Sequence, residues 1–433
     1  MDKKIVTRIL GFALIAVLLS GCIGNNGSGV RFQYTNEADD IIELVLWSIA
    51  TENDAFHQSY LRAIAAFEEA NPGVRIRFET FDNESYKTKI RLAVATNELP
   101  DIFFVWGGGF SRPFVESGKV LALDGFYAYY AEQLPRMVLE NVIFDELLYG
   151  SVMTIPISVT FYNRSIFAQY GLEVPTTWEE FIKVCQVLIE NDISPMGTSG
   201  KDLWVLAMMF DGLALKSVGA ERLRQVLLKE EGSFTEEEFL EAALKFRELV
   251  EMGVFYERAH ALSNDEASAR FYDGEVAMFT TGSWMVGSIQ TDADNPSDFG
   301  AFPIPVINGE NAGLMDFMGG ASDALMVSAG SEHPELAAQA TFELTRSISK
   351  YAYLDGAAVP AWRIDFDDGE ISPLGKQIVA YVTNATSLTL WFDIMLEAEH
   401  ANSYLALLNE LFIGTVSPEE FVTKMADALV VGE

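Results

Sequence analysis

The strongest constraint on the fold is an alternation of strand-like and helix-like segments near the start of the chain. Residues 41–48 are apolar almost throughout, as in a parallel strand buried on both faces. Residues 56–67 and 86–94 carry apolar side chains at helical spacing, residues 74–79 alternate apolar and charged side chains, and residues 102–106 are apolar again. This order of strand, helix, strand, helix and strand predicts an α/β lobe with a mainly parallel sheet.

The remaining length predicts a second lobe. The chain has 433 residues, which exceeds what one hydrophobic core usually organises. Strands are expected at 276–280 and 324–328 and a helix at 334–346, and residues 302–305 should be an extended crossing segment. Four helix starts show a hydroxyl three residues before a glutamate, the pattern of a capping box: Thr177 with Glu180, Thr235 with Glu238, Ser263 with Glu266, and Ser417 with Glu420.

The N-terminus has the parts of a bacterial export signal. Basic residues precede an apolar run at 9–19, which ends in Leu19-Ser-Gly-Cys22. At ~1.5 Å per residue this run covers about half of a ~30 Å hydrocarbon core, so it is too short for a membrane-spanning helix. The sequence around Cys22 resembles a lipobox, in which the thiol receives diacylglycerol and becomes the new N-terminus. A soluble secreted protein with a free Cys22 is the alternative.

Composition excludes several functional classes. The net charge of −34, without a compensating basic patch, argues against nucleic-acid binding. Two cysteines, of which Cys185 lies in an apolar run, cannot form a disulfide framework once Cys22 is lipidated. The glycine motifs after residues 106 and 196 lack required positions of the dinucleotide and phosphate loops, and the four histidines have no metal-ligand spacing. We therefore expect no cofactor, no metal and no catalytic residue; the calcium-loop pattern at 365–370 is only partial, which favours a solvated acidic turn.

Six short motifs in order carry a family resemblance. They are Ala66-Phe-Glu-Glu-Ala-Asn-Pro-Gly-Val74, Leu99-Pro-Asp-Ile102, Phe161-Tyr-Asn-Arg164, Val174-Pro-Thr-Thr-Trp-Glu-Glu-Phe181, Phe271-Tyr-Asp-Gly-Glu-Val-Ala-Met278 with Gly282-Ser-Trp284, and Gly414-Thr-Val-Ser-Pro-Glu-Glu420. Behind a lipobox, this series resembles the family 1 extracellular solute-binding proteins, the carbohydrate receptors of ABC importers related to maltose-binding protein.

The resemblance implies a two-lobed, type II periplasmic-binding-protein-like α/β fold with a sugar cleft between hinged lobes. We expect a signal peptide at 1–21, a lipidated tether at 22–40, and an N-terminal lobe formed by 41–155 and 300–346. The C-terminal lobe would comprise 156–299 and 347–433. A monomer on the outer face of the cell membrane, or facing the periplasm, would then deliver its sugar to permease subunits.

The ends of the predicted strands supply the first candidate ligand contacts. Sugars are bound by aromatic faces together with carboxylates and amides, and such groups belong at the carboxyl ends of strands. This rule selects Trp47, Glu52 and Asn53 after the first strand and Trp106 after the third. Trp284 follows the strand at 276–280 and matches the aromatic residue that the family stacks on sugar. Its neighbours Gly282 and Ser283 should leave room for the ligand.

Further candidates rest on positions matched to the family, and they are Tyr162, Gly319, Gly320, Trp362, Arg363, Trp391 and Asp393. Tyr162 could equally support the hinge, and the glycine pair could equally form a turn with positive φ. Asp393 is selected because Trp391 stands beside it, and Trp204 carries no assignment.

Two alternative functions are also compatible with the sequence. A secreted glycoside hydrolase could place two of the 63 carboxylates on either side of a glycosidic bond. A receptor of the same fold could bind a solute other than a sugar, such as a peptide or a polyol.

Overall fold

The computed structural model describes residues 41–366, 369 and 371–429. The predicted export signal, Cys22 and the whole tether lie outside the described residues, as do Asp367, Asp368 and Glu370 of the acidic segment. The described strands are β1 (Ile42–Ser48), β2 (Val74–Thr80), β3 (Ile102–Trp106), β4 (Ile143–Phe144), β5 (Leu147–Leu148), β6 (Gly150–Val152), β7 (Ser158–Asn163), β8 (Ser194–Gly197), β9 (Val276–Gly282), β10 (Phe299–Phe302), β11 (Asp316–Met318), β12 (Asp323–Val327) and β13 (Ser387–Thr389).

The α-helices connect and cover these strands. They are α1 (His57–Ala70), α2 (Asn83–Thr96), α3 (Arg112–Glu116), α4 (Asp124–Tyr127), α5 (Arg164–Gln169), α6 (Trp178–Glu190), α7 (Leu203–Val218), α8 (Ala220–Leu227), α9 (Glu237–Glu251), α10 (Asn264–Tyr272), α11 (Met285–Asp292), α12 (Pro334–Leu354), α13 (Pro373–Thr383), α14 (Phe392–Met395), α15 (Ala398–Ile413) and α16 (Pro418–Leu429).

The first lobe is built on a five-stranded sheet in the order β2-β1-β3-β12-β6. β1 runs parallel to β2 and β3, whereas β12 is antiparallel to β3 and β6. The predicted strands at 41–48, 74–79, 102–106 and 324–328 are confirmed. The helix predicted at 334–346 continues to Leu354 as α12 and packs against α1.

The second lobe is built on a four-stranded sheet in the order β10-β7-β9-β8. Because β10 pairs with β7 from Phe299 to Phe302, this segment belongs to the second lobe. The predicted lobe boundary at residue 300 is therefore corrected: the chain returns to the first sheet only after residue 318. The boundary at 346 also moves, since the main chain of Ala361 and the indole of Trp362 hydrogen-bond to β6 and its successor Met153.

Helix α7 forms the centre of the second lobe. It is buried continuously from Val205 to Val218, which explains why apolar residues surround the whole helix. The described residues include no single helix long and apolar enough to cross a membrane, although α7 and α8, bent by 116°, pass that criterion as a pair.

Local capping follows the predicted pattern at three of the four sites. Reciprocal hydrogen bonds form the capping boxes of Thr177, Ser263 and Ser417. The prediction at Thr235 is wrong, because α9 begins two residues later, at Glu237, without a side-chain cap. There Glu236 instead accepts hydrogen bonds from the main chain of Ser233 and the guanidinium of Arg222.

The chain passes between the lobes where three segments run side by side. The amide of Gly320 donates to the carbonyl of Pro156 over 2.9 Å, and the amide of Gly319 donates to Thr389 over 2.7 Å. Gly319 has φ +143°, and a Cβ there would lie 2.3 Å from the oxygen of Pro156. Positive φ and close backbone approach both require glycine here, where Gly319 also forms a β-bridge with Ile157.

Candidate ligand cleft

Three tryptophans from separate parts of the chain meet at the edge of the second lobe. The ring centroid of Trp284 lies 6.1 Å from that of Trp204 and 6.0 Å from that of Trp391. Trp204 and Trp284 are half-buried, whereas Trp391 is 3% exposed. We call Trp204, Trp284 and Trp391 the tryptophan cluster. Trp204 and Trp284 are therefore partly exposed, and the buried Trp391 packs against Trp284.

The glycine before Trp284 has a different role from the one expected. A Cβ on Gly282 would lie 2.1 Å from the ring of Trp284. The indole of Trp284 folds back over the end of β9 and fills the space beside Gly282. That space is therefore not available to a ligand. The hydroxyl of Ser283 is also engaged, because it accepts a hydrogen bond from the amide of Ile157 over 3.2 Å.

Trp391 and Asp393 are held at the start of α14. The indole nitrogen of Trp391 donates to the hydroxyl of Ser158 over 2.7 Å. The carboxylate of Asp393 lies 3.9 Å from the ammonium of Lys87, on α2 of the first lobe. That ammonium also lies 5.3 Å from the ring centroid of Trp106 and 2.9 Å from the carboxylate of Glu84. Lys87 thus connects two predicted site residues, Asp393 and Trp106.

The first-lobe candidates lie at the end of the parallel strands. Trp106 is buried against neighbouring phenylalanines. Its ring centroid lies 4.9 Å from that of Phe104, in an edge-to-face arrangement. Trp47 is half-buried, has the ammonium of Lys89 4.1 Å from its ring centroid, and has no hydrogen-bond partner for its buried indole N–H among the described residues. Glu52 and Asn53 are exposed in the loop after β1.

The carboxyl group that lies deepest in that loop is that of Asp54. Burial raises the pKa of Asp54 to about 6, while the amide of Phe56 donates to its carboxylate over 2.8 Å. Asp323, which pairs with Trp106 across β12 and β3, has its pKa raised to about 7 by burial and by the charge of Asp54. Two carboxyl groups of the first lobe therefore share the sheet edge that also carries Trp106.

Carboxylates of the second lobe interact electrostatically with those of the first. Asp202 precedes α7 and accepts from the amide of Asn264 over 2.6 Å. Its pKa is raised by burial, and further by the charges of Glu84 and Asp82 from the first lobe. Asp265 of the second lobe in turn raises the pKa of Asp54. Acidic side chains of the two lobes are therefore close enough for their charges to repel one another. The described residues contain no group of three or more His, Cys, Asp or Glu side chains that could hold a metal ion.

The remaining candidates have packing contacts. The ring of Tyr162 packs 4.6 Å from Phe167 and 5.7 Å from Phe302, inside the second lobe. Trp362 is 4% exposed, and its indole N–H donates to the carbonyl of Val152 over 2.9 Å, inside the first lobe. Arg363 is exposed beside it. The structure does not bring these three residues to the tryptophan cluster.

Sequence reasoning missed several residues of the cleft. Lys87 lies on an ordinary amphipathic helix, and nothing in its local sequence distinguishes it from Lys89. Asp54 follows the two residues that were selected, and Asp202 precedes the unassigned Trp204 by two positions. A search for acidic residues beside tryptophans and strand ends would have found Asp202 and Asp54.

Two α/β lobes, joined by adjacent crossing segments and carrying aromatic and carboxylate side chains where they face each other, define a two-lobed solute-binding protein. The chain belongs to the bacterial extracellular solute-binding protein family, whose model matches residues 53–343. Members of this family are binding proteins rather than enzymes.

Individual relatives agree with the family assignment. A solved structure from a study of xylan utilization by the thermophilic bacterium Caldanaerobius polysaccharolyticus is 33% identical, covers 89% of this chain and 99% of that chain, and has a TM-score of 0.86. An uncharacterized ABC transporter extracellular-binding protein of Pyrococcus horikoshii is 26% identical over 90% of each chain. The multiple sugar-binding protein of Streptococcus mutans is 23% identical over 86% of each chain.

Proposed function

We propose that this chain is the substrate-binding subunit of an ABC importer that captures a sugar or oligosaccharide and delivers it to a membrane permease. The observation that carries the proposal is the tryptophan cluster. Asp202 precedes Trp204 by two positions in the chain, and Asp393 follows Trp391 by two. A sugar ring presents C–H faces and hydroxyl edges, so flat indoles and hydrogen-bond acceptors together match it.

The proposed contacts come from both lobes. Trp204, Trp284 and Asp393 would bind from one side, and Trp47, Trp106 and Asp54 from the other. A ligand that contacts both lobes favours the closed arrangement in proportion to the contacts made only there. The glycine pair at 319–320 and the Pro156 segment would form the hinge for this motion.

The relative from the xylan study directs the first choice of ligand for the test, and two further oligosaccharide classes widen it. We would titrate the purified protein with xylo-oligosaccharides, chito-oligosaccharides and raffinose while recording tryptophan fluorescence. A saturable change with one class, reproduced by titration calorimetry, supports the assignment. No response to any of them, including after removal of co-purified ligand by denaturation and refolding, contradicts it.

Glycoside hydrolysis is the rival with a specific observation in its favour, since Asp54 and Asp323 are carboxyl groups of raised pKa in the cleft. We propose binding without catalysis, because the family consists of binding proteins. Chromatography of the titrated oligosaccharide after prolonged incubation distinguishes the two: intact ligand supports the receptor, and shorter products support the hydrolase.

The export signal completes the proposal. Cleavage before Cys22 and attachment of diacylglycerol would tether a monomeric receptor at the membrane, where a high effective concentration favours delivery to the permease. Cys22→Ser should leave sugar affinity unchanged and reduce uptake by cells. Loss of affinity in the purified variant would contradict this separation of tethering from binding.

A further inference from the structure

Asp211 is a buried carboxyl group that the proposed binding site does not use directly. It lies in the middle of α7 with 0% exposure. One carboxylate oxygen accepts a hydrogen bond from the amide of Phe392 over 3.0 Å, and the other accepts from the hydroxyl of Tyr404. No lysine, arginine or histidine forms an ion pair with Asp211 among the described residues. A buried carboxyl group without a cation requires a structural or functional reason.

The hydrogen bond to Phe392 fixes a short segment with site residues on both sides. Trp391 precedes Phe392 and contacts Trp284, while Asp393 follows it and lies near Lys87. The amide of Phe392 opens the first turn of α14, where helix geometry provides no backbone acceptor. Asp211 supplies that acceptor from the core of the second lobe.

The same segment touches the first lobe. A Cβ on Gly109, in the turn after β3, would lie 2.4 Å from the carbonyl oxygen of Met395. The end of α14 is therefore packed against the Gly109 turn, and its start is held by the hydrogen bond from Phe392 to Asp211 of α7. A small displacement of α14 would move Trp391 away from Trp284 and Asp393 away from Lys87.

We propose that Asp211 is a positioning residue of the ligand cleft: through Phe392 and Tyr404 it holds the α14 segment, so that Trp391 supports Trp284 and Asp393 stands in its binding position. This inference rests on the proposed function. Asp211 touches no ligand itself. From a core helix, Asp211 fixes the positions of two side chains at once, those of Trp391 and Asp393.

Two substitutions separate this role from simple packing. Asp211→Asn keeps a carbonyl oxygen for the amide of Phe392, and its NH₂ group can donate to the hydroxyl of Tyr404. Asp211→Leu has a similar size but leaves the buried amide of Phe392 without an acceptor. Ser217→Ala is the matched control, because Ser217 is fully buried on the same helix and bonds instead to Glu241 over 2.8 Å.

The first readout needs no ligand. In protein labelled with 5-fluorotryptophan, the ¹⁹F resonance of Trp391 is assigned by Trp391→Phe among the seven tryptophans. We expect this resonance to shift in Asp211→Leu and to stay near its wild-type position in Asp211→Asn and Ser217→Ala. An unshifted resonance in folded Asp211→Leu overturns the inference. If that variant does not fold, Asp211→Ala replaces it, because it also leaves the amide of Phe392 without an acceptor, and the same two results decide.

The second readout is affinity for the sugar that the wild-type protein binds. We expect Asp211→Leu to weaken binding about tenfold, with Asp211→Asn and Ser217→Ala within about threefold of wild type. Equal losses in Asp211→Leu and Ser217→Ala would mean general destabilisation and would overturn the positioning role. If the wild-type protein binds no sugar, the proposed function fails by itself, whereas the ¹⁹F result still decides whether Asp211 positions Trp391.

Discussion

Lys87 and Asp393 come from distant parts of the sequence and form an ion pair between the first lobe and the α14 segment. Their charged atoms lie 3.9 Å apart, and the two side chains are only 15% and 13% exposed. Burial raises the pKa of Asp393 and the charge of Lys87 lowers it, with Glu84 acting in the opposite direction from Lys87. The charge of Lys87 therefore offsets part of the repulsion between Asp393 and Glu84 inside the cleft.

Removal of Lys87 alone should destabilise the protein more than removal of both partners. Lys87→Met leaves Asp393 partly buried and facing Glu84, whereas the double variant with Asp393→Asn removes the uncompensated charge. We expect a coupling of about 1 kcal/mol in the free energy of unfolding, measured by urea denaturation. The control Lys424→Met lies at an exposed ion pair with Glu410 and should change stability by less than about 0.5 kcal/mol. Additive effects of the two cleft substitutions would contradict the ion pair's role.

Trp284→Ala should weaken sugar binding at least about tenfold, because it removes stacking worth more than ~1 kcal/mol. Titration calorimetry at constant pH measures the change. Trp178→Phe is the control, since Trp178 packs in α6 and donates to Glu248 over 3.3 Å, away from the cleft. Unchanged affinity in Trp284→Ala would assign this tryptophan to packing alone.

The ligand-free protein should gain stability as the pH falls from 8 towards 5. Asp54 and Asp323 have pKa values raised to about 6 and about 7, above the value of 3.8 expected in an unfolded chain. Between pH 3.8 and the raised pKa values, these carboxyl groups bind protons in the folded state that they do not bind in the unfolded state. The free energy of unfolding therefore falls as the pH rises. Thermal unfolding across this range measures the effect.

Asp54→Asn and Asp323→Asn should each flatten that pH dependence and raise the melting temperature at pH 8, by on the order of 1–2 °C. Glu52→Gln is the matched control in the same loop, since Glu52 is exposed. A pH profile that is equally steep in all three variants would show that other groups cause the dependence.

Gly319→Ala should destabilise the hinge by more than about 2 kcal/mol, because the new Cβ would meet the oxygen of Pro156 at 2.3 Å and φ is +143°. Gly125→Ala is the control, as a Cβ there meets nothing within 4 Å. Chemical denaturation compares the two. A similar small effect at both positions would contradict the need for glycine at the hinge.

The spacing of apolar residues predicted the first sheet well, because its strands are apolar and the helices between them are amphipathic. Which side chains are buried there follows from the local sequence alone. The lobe boundary at 300 was wrong since the pairing of β10 with β7 depends on which distant strand offers a free edge. Trp284 was selected for a strand end that does exist, yet the function assigned to Gly282 failed because the indole fills that space. Lys87 and Asp211 act through partners far away in sequence, and no local pattern marks them.

We propose above all that the cleft between the lobes binds an oligosaccharide without cleaving it. Titration calorimetry of the ligand-free protein with xylo-oligosaccharides, chito-oligosaccharides and raffinose, followed by chromatography of the recovered ligand, tests it most directly. We expect saturable binding with a stoichiometry near one for at least one class, reduced by Trp284→Ala, and intact ligand afterwards. Absence of binding to every class, or recovery of shorter products, would contradict it.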